Sequence, residues 1–212
     1  MTDTHTIAIL GSGNVGTALG ETWAESGHEI VFGVRDPEGE RAQTALVAVP
    51  SARLTSVAEA ASAVDIVVLA VPYGSVGEVL AAAGSLDGKI VIDATNAVDW
   101  TEGPVVASPT SAGEEVQAMT PKALVVKAFN TIGYEHFSDP VFSGLNADMY
   151  LCGDDDRARA VVAGLVEDAG FEAIDLGPMR NARISEHLAV AWMWLATRGG
   201  RGRDFTFKLI DK

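Results

Sequence analysis

The sequence has a single cysteine, no long apolar run and no excess of basic residues. Cys152 has no partner for an internal disulfide or a Cys-x-x-Cys pair, so we expect its side chain to pack in the core. The lack of a disulfide agrees with a cytoplasmic location for the protein. The longest apolar run, Ile66–Pro72, is far shorter than the roughly 20 residues of a membrane-spanning helix, and no basic leader precedes an apolar segment. The net charge of −14 argues against nucleic-acid binding, because phosphate contacts need clustered Lys and Arg. We therefore expect no membrane and no nucleic-acid partner.

The charge is unevenly distributed along the chain. Residues 1–176 carry a net charge of −18, whereas residues 177–212 carry +4. The C-terminal segment Arg180–Lys212 combines a helical pattern that contains Trp192 and Trp194 with the apolar run Phe205–Leu209, which is typical of an edge strand. A basic, aromatic segment on an acidic body predicts a homodimer interface.

Seven apolar runs of strand length alternate with helical patterns. They are rich in Val and Ile and mostly lack polar alternation, as expected of strands buried on both faces of a parallel sheet. The pattern predicts an α/β fold with a doubly wound, mostly parallel sheet of the Rossmann type and a short C-terminal helical extension. The runs are Thr6–Leu10, Glu29–Val34, Asp65–Val71, Lys89–Asp93, Ala123–Phe129, Asp148–Cys152 and Phe171–Leu176. Three Ser-x-x-Glu capping boxes are expected between them, at Ser56/Glu59, Ser75/Glu78 and Ser111/Glu114.

We divide the chain into two parts on this pattern. Residues 1–128 are expected to form a nucleotide-binding core. Residues 129–212 are expected to continue the sheet and to supply a C-terminal cap and dimerisation segment, with a final helix over about 181–198.

The motif GSGNVG follows the first predicted strand and opens a helix that stops at Gly27. In a Rossmann turn the first glycine makes the tight turn, the second lets the backbone approach a pyrophosphate, and the third lets the helix pack closely on the sheet. The free amides at the helix start bind the phosphates. The expected cofactor-binding residues here are Gly11, Ser12, Gly13, Asn14, Val15 and Gly16.

The second strand ends in Val34-Arg35, and this end decides between NAD and NADP. A carboxylate at this position binds the ribose 2′-hydroxyl of NAD, whereas an arginine pairs with the 2′-phosphate of NADP. Asp36 is the alternative that would favour NAD, but Asp36-Pro37 is typical of a helix N-cap followed by proline. We therefore expect NADP(H). Two further arginines are candidates for a second phosphate contact, Arg41 and Arg53.

Together these segments resemble the NADPH-dependent deazaflavin (coenzyme F420) oxidoreductase family, which also includes the cytoplasmic domains of certain membrane ferric reductases. The likeness covers nearly the whole length. Its landmarks are GSGNVG, the Gly33–Arg35 strand end, AVPYGSV at 70–76, the strand end Asp93–Asn96, VVKAFNTIG at 125–133, CGDDD at 152–156 and GPMRNAR at 177–183.

The resemblance implies roles for particular residues. Ser12–Val15 and Arg35 would hold NADP, Pro72 and Tyr73 would lie beside the cofactor, and Asn130–Tyr134 would line the nicotinamide side. Two positions depart from the family pattern. Val34 stands where a small hydroxyl residue commonly assists the 2′-phosphate, and Asn130 with Gly133 replace the His and Pro common in the deazaflavin enzymes. The second departure leaves the hydride acceptor open.

We expect an NADPH-dependent oxidoreductase that transfers hydride between NADP(H) and a planar acceptor. A deazaflavin is the first choice and a flavin the second, in a cleft built by Tyr73, Asn96, Asn130 and Thr131 at the carboxyl ends of the strands. The alternatives are a non-catalytic NADP(H)-binding regulator and an NADPH-dependent ferric or flavin reductase. A dehydrogenase of small hydroxy or imino acids would need a larger C-terminal helical domain.

No catalytic residue is assigned, because hydride transfer between stacked rings needs mainly their correct placement. His136 is a candidate for protonating or orienting the acceptor, and Tyr134 is a candidate cofactor contact. The arginines Arg198, Arg201 and Arg203 are candidates for holding an acidic tail on the acceptor, although a dimer contact would use them equally well. No metal site is expected, since Asp154–Asp156 precede a helical pattern and are typical of an N-cap.

Overall fold

The computed structural model describes residues 4–212. The strands are β1 (Thr6–Leu10), β2 (Glu29–Val34), β3 (Arg53–Ser56), β4 (Ile66–Leu69), β5 (Ile90–Asp93), β6 (Val98–Asp99), β7 (Val105–Val106), β8 (Leu124–Lys127), β9 (Val141–Phe142), β10 (Leu145–Asn146), β11 (Asp148–Gly153) and β12 (Glu172–Asp175). The α-helices are α1 (Asn14–Glu25), α2 (Glu40–Ala48), α3 (Val57–Ser62), α4 (Val76–Ala83), α5 (Ala112–Met119), α6 (Asp156–Asp168) and α7 (Ala182–Thr197). Short 3-10 turns cover Tyr73–Ser75, Tyr134–His136 and Met179–Asn181.

The main sheet has eight strands in the order β12-β11-β8-β5-β4-β1-β2-β3. Pairing is parallel from β3 to β8, while β11 pairs with β8 in the antiparallel sense and β12 runs parallel to β11. The chain leaves β1 toward β2 and β3 and then returns to β4 on the other side of β1. The carboxyl ends of β1 and β4 therefore form a topological switch point, which is where open α/β sheets bind ligands.

Two apolar cores cover the faces of this sheet. Alternate residues of β1 show the division, since Ile7 and Ile9 face one core and Ala8 and Leu10 face the other. The first core is closed by α1, α2 and α6, and the second by α3, α4, α5 and the start of α7. The predicted doubly wound, mostly parallel sheet with a C-terminal helix is confirmed. No helix within residues 4–212 is long and apolar enough to cross a membrane.

The seven predicted strands are all present, and β1 and β2 have the predicted bounds. The edge strand β3 was not predicted, because its four residues, Arg53–Ser56, are mostly polar and only partly buried. The expected strand Phe205–Leu209 is wrong. This segment is irregular, with the Phe205 carbonyl accepting from Trp192 Nε1 (2.9 Å) and the Leu209 amide donating to Asp148 (2.6 Å). Its backbone groups bind side chains instead of a neighbouring strand.

The capping predictions have mixed outcomes. Ser56 and Glu59 form the expected capping box. Ser111 accepts from the amide of Glu114, but the Glu114 carboxylate binds the Ser111 hydroxyl instead of the cap amide. The box at Ser75 is wrong, because Ser75 ends a 3-10 turn with helical backbone angles and makes no capping hydrogen bond. Asp155, within the acidic triplet, caps α6 as predicted, accepting from the Ala158 amide at 2.8 Å.

Trp23 joins the two parts of the chain. Its side chain is fully buried on α1, its Nε1 donates to the Leu165 carbonyl of α6 at 2.9 Å, and its ring packs edge-on against Phe129 at 5.3 Å. The helix that begins at the glycine motif is therefore packed on the helix that covers β11. Residues 4–128 and 129–212 share one core on this face of the sheet.

Replacing Trp23 with Phe should lower the stability of the whole chain. The substitution removes a buried hydrogen bond and leaves unfilled volume, which together cost about 2–3 kcal/mol, or about 5–10 °C in melting temperature for a domain of this size. Thermal unfolding followed by circular dichroism measures the change. The matched control is Trp100→Phe, because Trp100 is 52% exposed. Equal shifts for the two variants would contradict the assigned role of Trp23.

Candidate functional site

The glycine motif forms an open cradle at the start of α1. Gly11 has φ +113°, and a Cβ atom there would lie 2.5 Å from the Ala70 carbonyl oxygen. A Cβ atom on Gly16 would lie 2.2 Å from the Gly11 carbonyl oxygen, so the helix packs closely on the turn. In contrast, a Cβ atom on Gly13 would meet nothing within 4 Å, and Gly13 is an N-cap without a side-chain hydrogen bond. The first amides of α1 therefore face open space, as a phosphate-binding turn requires.

Two cavities flank this cradle and share Ser12, Gly13 and Ala70–Pro72 in their walls. The β2-side cavity, of about 710 Å³, extends from the cradle to the end of β2 and to α4. The β5-side cavity, of about 800 Å³, extends past the ends of β4 and β5 to Tyr134. Together they form a groove with two arms across the carboxyl edge of the sheet.

Val34 and Arg35 line the β2-side cavity. The Arg35 guanidinium is 77% exposed and lies 3.6 Å from the Glu78 carboxylate, an exposed ion pair of the kind that contributes little stability. Arg41 lines both cavities, whereas Arg53 lines neither. The structure thus brings Arg35 and Arg41 to the same cavity.

Asp36 is not the predicted N-cap. The helix α2 begins at Glu40, with Gly39 as its N-cap and no side-chain capping hydrogen bond. The Asp36 carboxylate instead accepts from the Glu38 amide at 3.1 Å, inside the turn that precedes the helix. Proline at 37 starts this turn and not the helix. One oxygen of the carboxylate is thus bound by backbone, but Asp36 also lies in the wall of the β2-side cavity beside Arg35.

The β5-side cavity has Pro72, Tyr73, Asn96 and Tyr134 in its wall. Asn130 and Thr131, which we expected to line the cleft, are each only 4% exposed and lie outside the cavity lining. Asn96 Nδ2 donates to the Asn130 carbonyl at 2.9 Å, and Asn130 Nδ2 donates to Asn96 Oδ1 at 3.1 Å. The placement of Asn130 in the cleft is therefore corrected: this side chain holds Asn96 from behind.

The hydroxyl group of Tyr73 is held by α5. It donates to the Glu115 carboxylate, which also accepts from the Ser108 hydroxyl. Burial, followed by the hydrogen bond and the negative charge of Glu115, raises the pKa of Tyr73 above its usual range. Tyr73 is therefore a neutral, fixed wall of the β5-side cavity.

A buried charge cluster lies beneath the same cavity, and sequence reasoning missed it. Lys127 is fully buried, and its Nζ lies 2.9 Å from Asp93 Oδ2 and 3.2 Å from Glu186 Oε1. Burial alone would lower the pKa of Lys127, but the two carboxylates outweigh it and raise the pKa. A signal was available, because Asp93 and Lys127 end adjacent apolar strands and pair in register. The partner on α7, Glu186, could not be found from spacing.

His136 does not reach the groove. Its Nε2 lies 3.0 Å from the Arg203 carbonyl oxygen, its ring packs on Phe142 at 4.9 Å, and it is absent from the walls of both cavities. The contact between His136 and an acceptor stays a prediction, and in this arrangement the side chain lies outside both cavity walls. The 3-10 turn Tyr134–His136 directs Tyr134 toward the cavity and His136 toward the C-terminal segment.

Arg203 binds other side chains of the same chain. Its guanidinium pairs with both carboxylate oxygens of Glu135 and lies over the rings of Trp192 (5.0 Å) and Tyr134 (5.9 Å). It therefore braces the wall of the β5-side cavity and is not free to hold an acidic tail. No group of three or more metal-ligating His, Cys, Asp or Glu residues occurs in the described part, residues 4–212.

Comparison with known proteins supports the resemblance inferred from the sequence. Residues 6–97 match the family model of the coenzyme F420-dependent NADP oxidoreductases. The chain is 30% identical over 201 residues to the F420-dependent NADP reductase of Methanothermobacter thermautotrophicus, covering 86% of this chain and 85% of that one. It is also 30% identical over 180 residues to the metalloreductase STEAP3 of Rattus norvegicus, covering 85% of this chain but only 35% of that one. The chain thus spans about a third of the metalloreductase.

Solved structures give the same result. A protein of Arthrobacter sp. FB24, described as a candidate F420-dependent NADP reductase, superposes with a TM-score of 0.87 and 34% identity, covering 97% of this chain and 99% of that one. A reductive aminase of Aspergillus terreus in complex with NADPH superposes with a TM-score of 0.71 at 18% identity, covering 93% of this chain and 64% of that one. At that identity the second likeness shows the fold alone.

Proposed function

This chain belongs to the family of coenzyme F420-dependent NADP oxidoreductases, and we propose that it reduces a planar organic acceptor with NADPH. The observation that carries the proposal is the open cradle at Gly13, flanked by one cavity with Arg35 in its wall and a second with two tyrosines. As a member of this family the chain is an NADP-dependent oxidoreductase. The identity of its acceptor is our proposal.

We assign the cofactor-binding residues by cavity. The pyrophosphate would lie on the amides of Ser12–Gly16 beyond the Gly11 turn, and the 2′-phosphate would lie between Arg35 and Arg41 in the β2-side cavity, with Val34 beside the ribose. NADPH supplies a hydride from its nicotinamide ring, which would extend into the β5-side cavity beside Pro72, Tyr73, Asn96 and Tyr134. Asn130 and Thr131 would act only through the wall they support.

The acceptor is proposed to be a deazaflavin first and a flavin second. The cavity of about 800 Å³ has a mixed wall of polar and apolar side chains that includes Tyr73 and Tyr134, and it has room for stacked rings. Hydride transfer needs the rings positioned more than it needs an acid or base. The similarity to a metalloreductase supports an alternative activity, that of an NADPH-dependent ferric or flavin reductase. A non-catalytic NADP(H)-binding regulator would share the same cradle, and turnover of any acceptor distinguishes it from an enzyme.

The first prediction of this proposal concerns cofactor choice. Replacing Arg35 with Ala should weaken NADPH binding about tenfold to a hundredfold and leave NADH nearly unchanged, because a charge-assisted contact to the 2′-phosphate is worth about 1.5–3 kcal/mol. Isothermal titration with both cofactors measures the difference. Arg53→Ala is the matched control, because Arg53 is exposed and lines neither cavity. An equal loss for NADPH and NADH would refute the assignment.

Glu78 provides a second test of the same site. It lies 3.6 Å from Arg35 and carries a charge that repels a phosphate. Glu78→Gln should therefore tighten NADPH binding by a few fold and leave NADH unchanged. Weaker binding of NADPH by this variant would show that the 2′-phosphate lies elsewhere.

The second prediction concerns the acceptor. NADPH that carries deuterium at the nicotinamide C4 should deliver it directly to the ring of a deazaflavin, at a rate competitive with FMN, FAD, a quinone and ferric chelates. The panel includes deazaflavins with and without an anionic tail, because Arg203 is bound by Glu135. We expect Arg203 to contribute little to binding of the tail, and a strong preference for the tailed deazaflavin would point to Arg198 or Arg201. Turnover of flavin or ferric chelate without detectable deazaflavin reduction would rule out the first choice.

The third prediction concerns assembly. We retain the homodimer as a proposal, supported by the exposed apolar side chains Trp100, Val105 and Trp194, of which Trp194 packs near the hairpin at Gly103. Trp194→Glu should convert a dimer to a monomer in light scattering at micromolar concentration. A monomer already in the unchanged protein would refute the dimer. The cytoplasmic location expected from the single cysteine stays a prediction.

A further inference from the structure

We infer that Lys127 is a positioning residue that fixes two walls of the β5-side cavity at once, although it lies outside the cavity lining. The inference rests on the proposed function, because it assumes that the nicotinamide half of NADPH enters this cavity. The two walls are the Thr95–Asn96 loop after β5 and the Tyr73 side chain after β4. Lys127 is connected to each of them through one carboxylate.

The first connection runs through Asp93 to the Thr95–Asn96 loop. Asp93 is fully buried, and its Oδ1 accepts from the Thr95 amide at 2.9 Å and from the Thr95 hydroxyl at 2.7 Å. Its Oδ2 accepts from Lys127 Nζ at 2.9 Å, and Lys127 also donates to the Thr95 carbonyl. The loop is therefore held at its amide, hydroxyl and carbonyl groups by one buried ion pair.

The second connection runs through Glu186 and α5 to Tyr73. Glu186 is 1% exposed, lies 3.2 Å from Lys127 Nζ, and accepts from the amides of Ala112 (3.0 Å) and Gly113 (3.2 Å) at the start of α5. One turn further on, Glu115 of the same helix accepts from the Tyr73 hydroxyl. The position of α5 relative to Lys127 therefore determines where the Tyr73 ring stands.

The charge arrangement explains why one lysine serves both connections. The cluster holds two carboxylates and one ammonium group away from water, and the N-terminal end of α5 offsets part of the remaining negative charge. Each carboxylate has other donors, namely Thr95 or the α5 amides, but both share Lys127. Removing the lysine alone would leave two buried carboxylates facing each other, and the chain would lose stability for a reason unrelated to the cavity.

Charge-balanced variants avoid that complication. Asp93→Asn with Lys127→Met releases the loop and keeps Glu186 on α5. Lys127→Met with Glu186→Gln releases α5 and the Thr95 carbonyl, and it keeps the Asp93 contacts to the Thr95 amide and hydroxyl. Each double variant retains the formal charge of the buried cluster. The matched control is Asp87→Asn with Lys122→Met, since this lysine and aspartate also pair at 3.1 Å but are largely exposed.

Two probes distinguish a positioning role from a stabilising one. Adenosine 2′,5′-bisphosphate can occupy only the β2-side cavity, whereas NADPH would also extend into the β5-side cavity. We expect both buried double variants to bind the bisphosphate within about twofold of the unchanged protein and NADPH about tenfold more weakly, the equivalent of about 1.4 kcal/mol. The exposed control should bind both probes unchanged. Titration calorimetry below the melting temperature of each variant gives these constants.

Each result decides between the alternatives. A parallel loss of both probes, or no loss of either, would overturn the positioning role of Lys127. If the unchanged protein binds neither probe, the proposed function itself fails, and that outcome is visible before any variant is made. If a double variant does not fold, Glu115→Ala decides for the Tyr73 connection, because Glu115 lies outside the cavity wall and its loss should weaken only NADPH. Equal binding of NADPH by Glu115→Ala would overturn that connection.

Discussion

The close packing of α1 on the strand ends is the constraint on which the groove depends. Gly16 abuts the Gly11 carbonyl, and one turn later a Cβ atom on Gly20 would lie 2.6 Å from the Phe32 ring. Larger side chains at these positions would push the helix outward and move its first amides away from the sheet edge. The six neighbouring strands β3, β2, β1, β4, β5 and β8 are parallel. The residues that follow their carboxyl ends, among them Arg35, Tyr73 and Asn96, therefore lie around the same amides.

The antiparallel strand β11 explains why two landmark segments lie outside the groove. Since β11 and β12 run opposite to β8, the residues after them, Asp154–Asp156 and Gly177, leave the sheet toward its other edge. There Asp154 accepts from the Met179 amide at 2.9 Å and fixes the start of α7. This segment acts on the groove indirectly, by placing the helix whose Glu186 reaches α5.

The charge asymmetry of the chain has an intramolecular explanation. Arg183 pairs with Glu114 at 2.7 Å, Arg203 with Glu135, and Lys208 with Asp148 at 2.6 Å. Three of the seven basic residues after residue 176 therefore fasten the C-terminal segment to its own body. The asymmetry is therefore not by itself evidence for a dimer. A linear count of charge cannot distinguish attraction within a chain from attraction between copies.

Local sequence patterns predicted the strands and the glycine turn. The features that they did not predict depend on contacts between residues far apart in the chain. The strands and the Gly11–Gly16 turn follow from apolar runs and glycine spacing, which act over a few residues. The burial of Asn130 and the turning of His136 away from the cavity depend on how the chain after β8 packs against Asn96 and Arg203. Likewise Phe205–Leu209 has the composition of a strand, but α7 and Asp148 take its hydrogen bonds.

The single cysteine of the chain lies in the strand next to Lys127. Cys152 is fully buried in β11 opposite Lys127, and burial raises its pKa to about 12. Thiolate is the reactive form, and the Cys152 side chain lies in the second core with its Sγ 4.0 Å from the Met179 carbonyl oxygen, so a reagent can reach it only after the start of α7 moves away. The rate at which Cys152 is labelled therefore measures how often the native core opens beneath the start of α7.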